Sequence, residues 1–98
     1  MKIIVEDRAA QFIKEEFDVK EDDAIRIFVK YGGESPIQQG FSLGIGKDSP
    51  KNPAVRTVVG GITFFVEEED TWYFSHYDLH VRYDEKLDEI AYDYVENQ

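Results

Sequence analysis

Ala9, Phe12, Ile13 and Phe17 recur at helical spacing behind an acidic pair, Glu6 and Asp7, placed to cap a helix and favour its positive end. The spacing predicts a helix over residues 7–17 with those four apolar side chains toward the core, ended by the polar run from Val19 to Asp23. Ahead of it, residues 2–5 (KIIV) form a short edge strand or lead-in.

Beyond residue 23 the period changes to two. In AIRIFVKY (24–31), Ile25, Ile27, Val29 and Tyr31 fall on one face of a strand and Arg26, Phe28 and Lys30 on the other. FSLGIG (41–46) predicts a second strand with Phe41, Leu43 and Ile45 inward. Its glycines signal a bulge or a close approach. KDSPKNP (47–53) is a loop, and AVRTVVGG and ITFFVEE pair as a hairpin about Gly60 and Gly61. EEDTWYFSHYD has the acids of a turn or short helix, while its adjacent Trp72, Tyr73 and Phe74 carry enough apolar area to favour core packing over a partner-binding role. LHVRY (79–83) alternates again, and a turn follows at 84–86. The last segment, 87–95, fits a helix through Leu87, Ile90, Ala91, Tyr94 and Val95, and a strand through Ile90, Tyr92 and Tyr94. Periodicity leaves that choice open. One helix and six or seven strands make an α+β, mostly β domain.

At 98 residues the chain forms a single domain, 1–98, able to bury one core. Seven Phe, six Tyr and one Trp suit packed strands better than a helical bundle. A net charge of −10 repels phosphate backbones and anionic membranes, so neither nucleic acid nor membrane is an expected partner. With no cysteine there is no disulfide, thiolate metal site or thiol nucleophile. The N-terminus offers no signal sequence or spanning helix, and a cytoplasmic location is the expectation.

The order of helix, RIFVKYGGES, GFSLGI, GITFFVEE and DLHVRYDEKLDEIAYDYV resembles the HesB/IscA-like iron–sulfur cluster biosynthesis family, in particular a cysteine-less subgroup of small, acidic HesB-like proteins of Gram-positive bacteria. The resemblance runs from Met1 to about Tyr94. It implies a distorted two-sheet β-sandwich with one N-terminal α-helix, and it makes 87–95 a strand. Family members hold iron or a cluster with three cysteines. Here Glu34 in YGGES stands opposite the first, and the chain stops at Gln98, about where the tail pair would begin. Cluster iron takes soft thiolates, whereas a carboxylate is a hard oxygen ligand. The resemblance therefore implies a non-enzymatic accessory or binding protein with iron–sulfur assembly proteins as partners, no cofactor of its own, and a loop Gly32, Gly33, Glu34 and Ser35 that keeps the family's site position without its ligands.

Read from its residues, that loop is first a turn: glycines supply positive φ and Pro36 fixes the exit. The alternative function is a metal-binding protein using Glu34, His76, Asp78 and His80, since two imidazoles and carboxylates suit Zn²⁺ or non-haem iron. An extended 76–82 puts His76, Asp78 and His80 on one side but spreads the histidines about 13 Å along the strand, too far for one ion. The runs Glu67–Asp70 and Asp84–Glu85 lack EF-hand spacing and read as solvated faces. No nucleophile elbow is present, which argues against an enzyme. Edge strands and exposed aromatics are compatible with a homodimer.

Overall fold

In the computed structural model, which describes residues 1–97, β1 (Ile3–Val5) leads into α1 (Asp7–Glu16), and β2 (Ala24–Glu34), β3 (Gln39–Lys47), β4 (Pro53–Val59) and β5 (Ile62–Glu67) follow. A 3-10 helix (Glu68–Tyr73) then leads to β6 (Tyr77–Asp84) and β7 (Glu89–Glu96). The strands form two sheets, ordered β3-β2-β5-β4 and β1-β6-β7. Neighbours are antiparallel except β1 with β6 and β2 with β5. The expected class holds: α+β, mostly β, with two sheets and one N-terminal helix.

The core consists of the alternate residues that the period-2 pattern points inward. Ile25 and Ile27 of β2, Leu43 of β3, Phe64 and Val66 of β5, and Leu79 and Val81 of β6 are all buried in one cluster with Ala9, Ala10 and Ile13 of α1. Phe12 and Phe17 only pack against its edge, so the apolar stripe of the helix sits slightly rotated from the expected one. The helix ends at Glu16. Glu6 occupies the N-cap position without a side-chain cap hydrogen bond, and Asp7 lies in the first turn, where its charge complements the helix dipole.

Two ambiguities are settled by pairing. Residues 89–96 form β7, antiparallel to β6, with Leu79 opposite Tyr94 and Val81 opposite Tyr92. A helix there would leave one edge of β6 unpaired, whereas the strand satisfies its backbone groups and turns Ile90, Tyr92 and Tyr94 onto the core. The glycines of β3 answer to β2: the Phe28 ring lies over Gly44, where a Cβ would stand 2.8 Å from the ring. The close approach expected in FSLGIG is therefore real. The bulge, however, lies on the opposite strand.

Candidate functional site

The two glycines of YGGES are not a turn. β2 continues through them to Glu34, and the register slips between Tyr31 and Glu34, which is a β-bulge. Gly32 and Gly33 have φ of 108° and 71°, a region closed to most L-residues, and a side chain on Gly33 would meet Ser42. The Ser42 hydroxyl donates to the Gly32 carbonyl at 3.0 Å and fixes the bulge. The turn itself comes after it. Ser35 Oγ accepts from the Gln38 N–H at 3.0 Å and lies 3.2 Å from the Gln38 carbonyl. Ser35 is thus engaged within the turn, while Glu34 is exposed.

The other predicted ligands are held apart, each by its own partner. His76 precedes β6, stacks on Tyr77 with ring centroids 4.5 Å apart, and places Nε2 3.1 Å from Glu96. Asp78 is buried. It accepts from the Lys2 backbone N–H at 2.7 Å and from the Asn97 side-chain amide at 3.1 Å, so it ties both ends of the chain to β6. His80 lies 3.5 Å from Glu6, at the start of α1. Among the described residues no group of three or more His, Asp or Glu side chains converges to hold an ion. Extended geometry spreads His76 and His80 along the chain, and Asp78, on the same side as His80, is turned to the Lys2 amide and Asn97 while His80 faces Glu6.

Two acids of the run Glu67–Asp70 depart from the solvated reading. Glu67 is 5% exposed, and its carboxylate accepts from the backbone N–H groups of Lys51 and Asn52 at 3.1–3.3 Å, which organises the loop before β4. Asp70, also buried, accepts from Arg26 at 2.9 Å, and the same guanidinium reaches Glu69 at 2.7 Å and Asp48 at 3.6 Å. Burial works against the Arg26 charge, but the hydrogen bonds with Asp70 and Glu69 overcome it and hold the guanidinium above the ordinary arginine range. Replacing Arg26 with Met is expected to cost about 2 kcal/mol, because Asp70 is left charged and covered without its partner. Adding Asp70→Asn should restore part of that loss in a double-mutant cycle of urea unfolding; strict additivity of the two changes would contradict the coupling.

The most distinctive feature of this end of the molecule is aromatic. The run Trp72, Tyr73 and Phe74 divides: Tyr73 and Phe74 are fully buried, and Trp72 is half exposed. The Tyr73 hydroxyl pairs with that of Tyr94 at 2.8 Å, and the Gln38 side-chain amide lies 3.4 Å from the Tyr73 carbonyl, so the 35–38 turn sits beside a tyrosine cluster. Next to it, Pro36, Ile37, Tyr77, Tyr92 and Tyr94 help line a shallow cleft of about 310 Å³. Alternating apolar positions and the adjacent aromatics were the sequence signals for this cluster, but neither says which ring faces out.

No family model matches the chain. It is 46% identical over 94 residues to a protein of Bacillus subtilis named pyruvate dehydrogenase inhibitor, a match covering 96% of this chain and 99% of the relative. It is also 32% identical to an uncharacterised protein of Staphylococcus saprophyticus and 33% identical to one of Staphylococcus haemolyticus, each over 94% of this chain and at least 96% of the relative. These matches overturn the HesB/IscA-like assignment, the accessory role in iron–sulfur cluster assembly and the assembly proteins as partners. The resemblance rested on the order of strands and turns, which specifies an architecture and not an activity, while the position that would carry cluster chemistry holds a carboxylate. For the alternative of a metal-binding protein using Glu34, His76, Asp78 and His80, the geometry brings no three of them together: His76, Asp78 and His80 each have a separate partner, and Glu34 is exposed at the end of β2, after the bulge. Similar along nearly its whole length to the Bacillus subtilis pyruvate dehydrogenase inhibitor and to its staphylococcal counterparts, the chain belongs to their family.

Proposed function

We propose that this protein is a non-catalytic, cytoplasmic inhibitor that binds a pyruvate dehydrogenase complex and lowers its activity. The observation that carries the reading is the 46% identity to the Bacillus subtilis pyruvate dehydrogenase inhibitor, spread over nearly the whole of both chains. Identity at that level across a single small domain supports a shared binding surface as well as a shared fold. A strongly acidic surface suits a protein partner with basic patches, because complementary charge speeds encounter and disfavours wrong partners.

The test is an activity assay of purified pyruvate dehydrogenase complex from Bacillus subtilis, with this protein added in increasing amounts. A saturable, dose-dependent fall in pyruvate-dependent NADH formation is expected, together with co-elution of the two on gel filtration. Full activity at a large molar excess, with no co-elution, would sink the proposal. A time-dependent loss that persists after the protein is removed would instead indicate chemical modification and overturn the non-catalytic reading.

A further inference from the structure

The inward face of β2 and β3 does not end where the core ends. Cross-strand pairs on that face run Ile27–Ile45, Val29–Leu43 and Tyr31–Phe41. Ile27 and Leu43 are buried in the core and Val29 and Ile45 pack against it, yet Tyr31 is 91% exposed. The strands overshoot the sandwich and carry their apolar stripe into solvent. There, Phe41 meets Tyr31 edge-on at 5.6 Å and Trp72 edge-on at 5.1 Å, and Trp72 in turn meets buried Tyr73 at 6.1 Å. The result is a continuous series of edge-to-face rings from a fully buried tyrosine to an almost fully exposed one.

Such a series is preorganised. Phe41 and Trp72 are each placed by their neighbours and the innermost ring is fixed in the core, so a partner that covers Trp72 and Phe41 has little of their side-chain freedom left to remove, while Tyr31 reaches furthest into solvent. Tyrosine and tryptophan are also the residues most enriched among binding hot spots. Folding alone gives no reason to leave both rings in water, since the contact with Phe41 covers little of Tyr31.

Charge says what the partner offers. The elements that bear the rings also bear exposed Glu34, Glu68 and Glu69. Their basic groups are engaged or averted: Arg26 is held by Asp70 and Glu69, Lys47 pairs with Asp23 at 3.2 Å, and Lys30 alternates to the opposite face from Tyr31. A second copy of the chain would set one acidic rim against another at a net charge of −10 each. We infer that Tyr31, Phe41 and Trp72 form the docking surface of this protein, and that its occupant is a protein surface with an apolar socket rimmed by lysine or arginine side chains. Resting on the functional reading above, that surface belongs to the pyruvate dehydrogenase complex.

The experiment measures binding of immobilised pyruvate dehydrogenase complex to the wild-type protein, to Tyr31→Ala, to Trp72→Ala and to Leu87→Ala. Leu87 is an exposed apolar residue in the β6–β7 turn and serves as the control. Tyr31→Ala and Trp72→Ala are each expected to weaken binding on the order of 10- to 30-fold, with Leu87→Ala unchanged and wild-type affinity falling as salt is added. Because Tyr31 is so exposed, its variant keeps the wild-type unfolding midpoint, and the test stands even if Trp72→Ala is destabilised. Wild-type affinity in both Tyr31→Ala and Trp72→Ala overturns the surface and leaves the functional reading intact. Failure of the wild-type protein to bind the complex overturns the functional reading and the identity of the partner with it. A wild-type dimer in sedimentation that Tyr31→Ala converts to monomer would assign the patch to a second copy and overturn the inference.

Discussion

Replacing Tyr73 with alanine is expected to lower the stability of this protein by about 3–5 kcal/mol, the range for deleting a large aromatic side chain from a packed core. Tyr73 is fully buried, its ring meets Trp72, Phe74 and Tyr94, and its hydroxyl pairs with that of Tyr94. The substitution leaves a cavity between the 3-10 helix and β7 and deprives the Tyr94 hydroxyl of its partner. In a domain of this size the melting temperature should fall by about 4–8 °C for each kcal/mol lost. Tyr73→Phe separates the two contributions. It keeps the ring and loses the hydrogen bond, with an expected cost of about 1–2 kcal/mol. Urea unfolding of the three proteins checks both, and a Tyr73→Ala midpoint near wild type would show that the ring is not part of the core.

The same cluster makes the fold sensitive to alkali. Burial pushes the Tyr92 phenol up to about 12, with Tyr73 adding to it, and burial together with the hydrogen bond that the neutral Tyr94 phenol shares with Tyr73 pushes Tyr94 higher still. In the unfolded chain both phenols titrate near their ordinary value of about 10. The unfolded state thus releases these protons first, and stability falls as pH rises. The contribution is fully present below about pH 10 and is lost between there and the folded values. The slope approaches about 1.4 kcal/mol per pH unit for Tyr92, while solvent screening reduces the share of half-exposed Tyr94, so about 1–2 kcal/mol should be gone one unit above the ordinary tyrosine pKa. Urea midpoints from pH 8 to 11 should follow this decline, with Tyr94→Phe making its slope shallower and Tyr92→Phe making it shallower still. A flat profile through pH 11 would mean that the two phenols are not shielded.

Several features were legible in the sequence because they depend on neighbours a few positions away. Residues 24–31 and 79–83 alternate in period two and do form strands, and the stripe of Ala9 and Ile13 does put α1 on the core. Absence of cysteine excludes thiolate chemistry through composition alone, whatever the fold. The candidate site was less legible. The glycine pair of YGGES signalled positive φ correctly, yet whether that conformation made a turn or a bulge depended on β3, whose Ser42 supplies the fixing hydrogen bond. Glu67 to Asp70 looked like one solvated run. The positions of Arg26 and of the Lys51 and Asn52 amides decided that two of its four carboxylates are buried.

By itself, then, the sequence determined the mixed α+β character, the single N-terminal helix, the faces of β2 and β6 and the acidity of the surface, since periodicity and composition act locally or by simple summation. Periodicity left residues 89–96 open between helix and strand because both periods fit; the family resemblance implied a strand, and the tertiary structure bears that out by pairing them with the free edge of β6. It alone separated Trp72 from Tyr73 and Phe74, and Tyr31 from Val29. Inward-facing positions are equivalent along a strand until another layer covers some and not others, and where that layer stops is fixed by packing between segments far apart in the chain. The exposed aromatic patch is a consequence of that boundary.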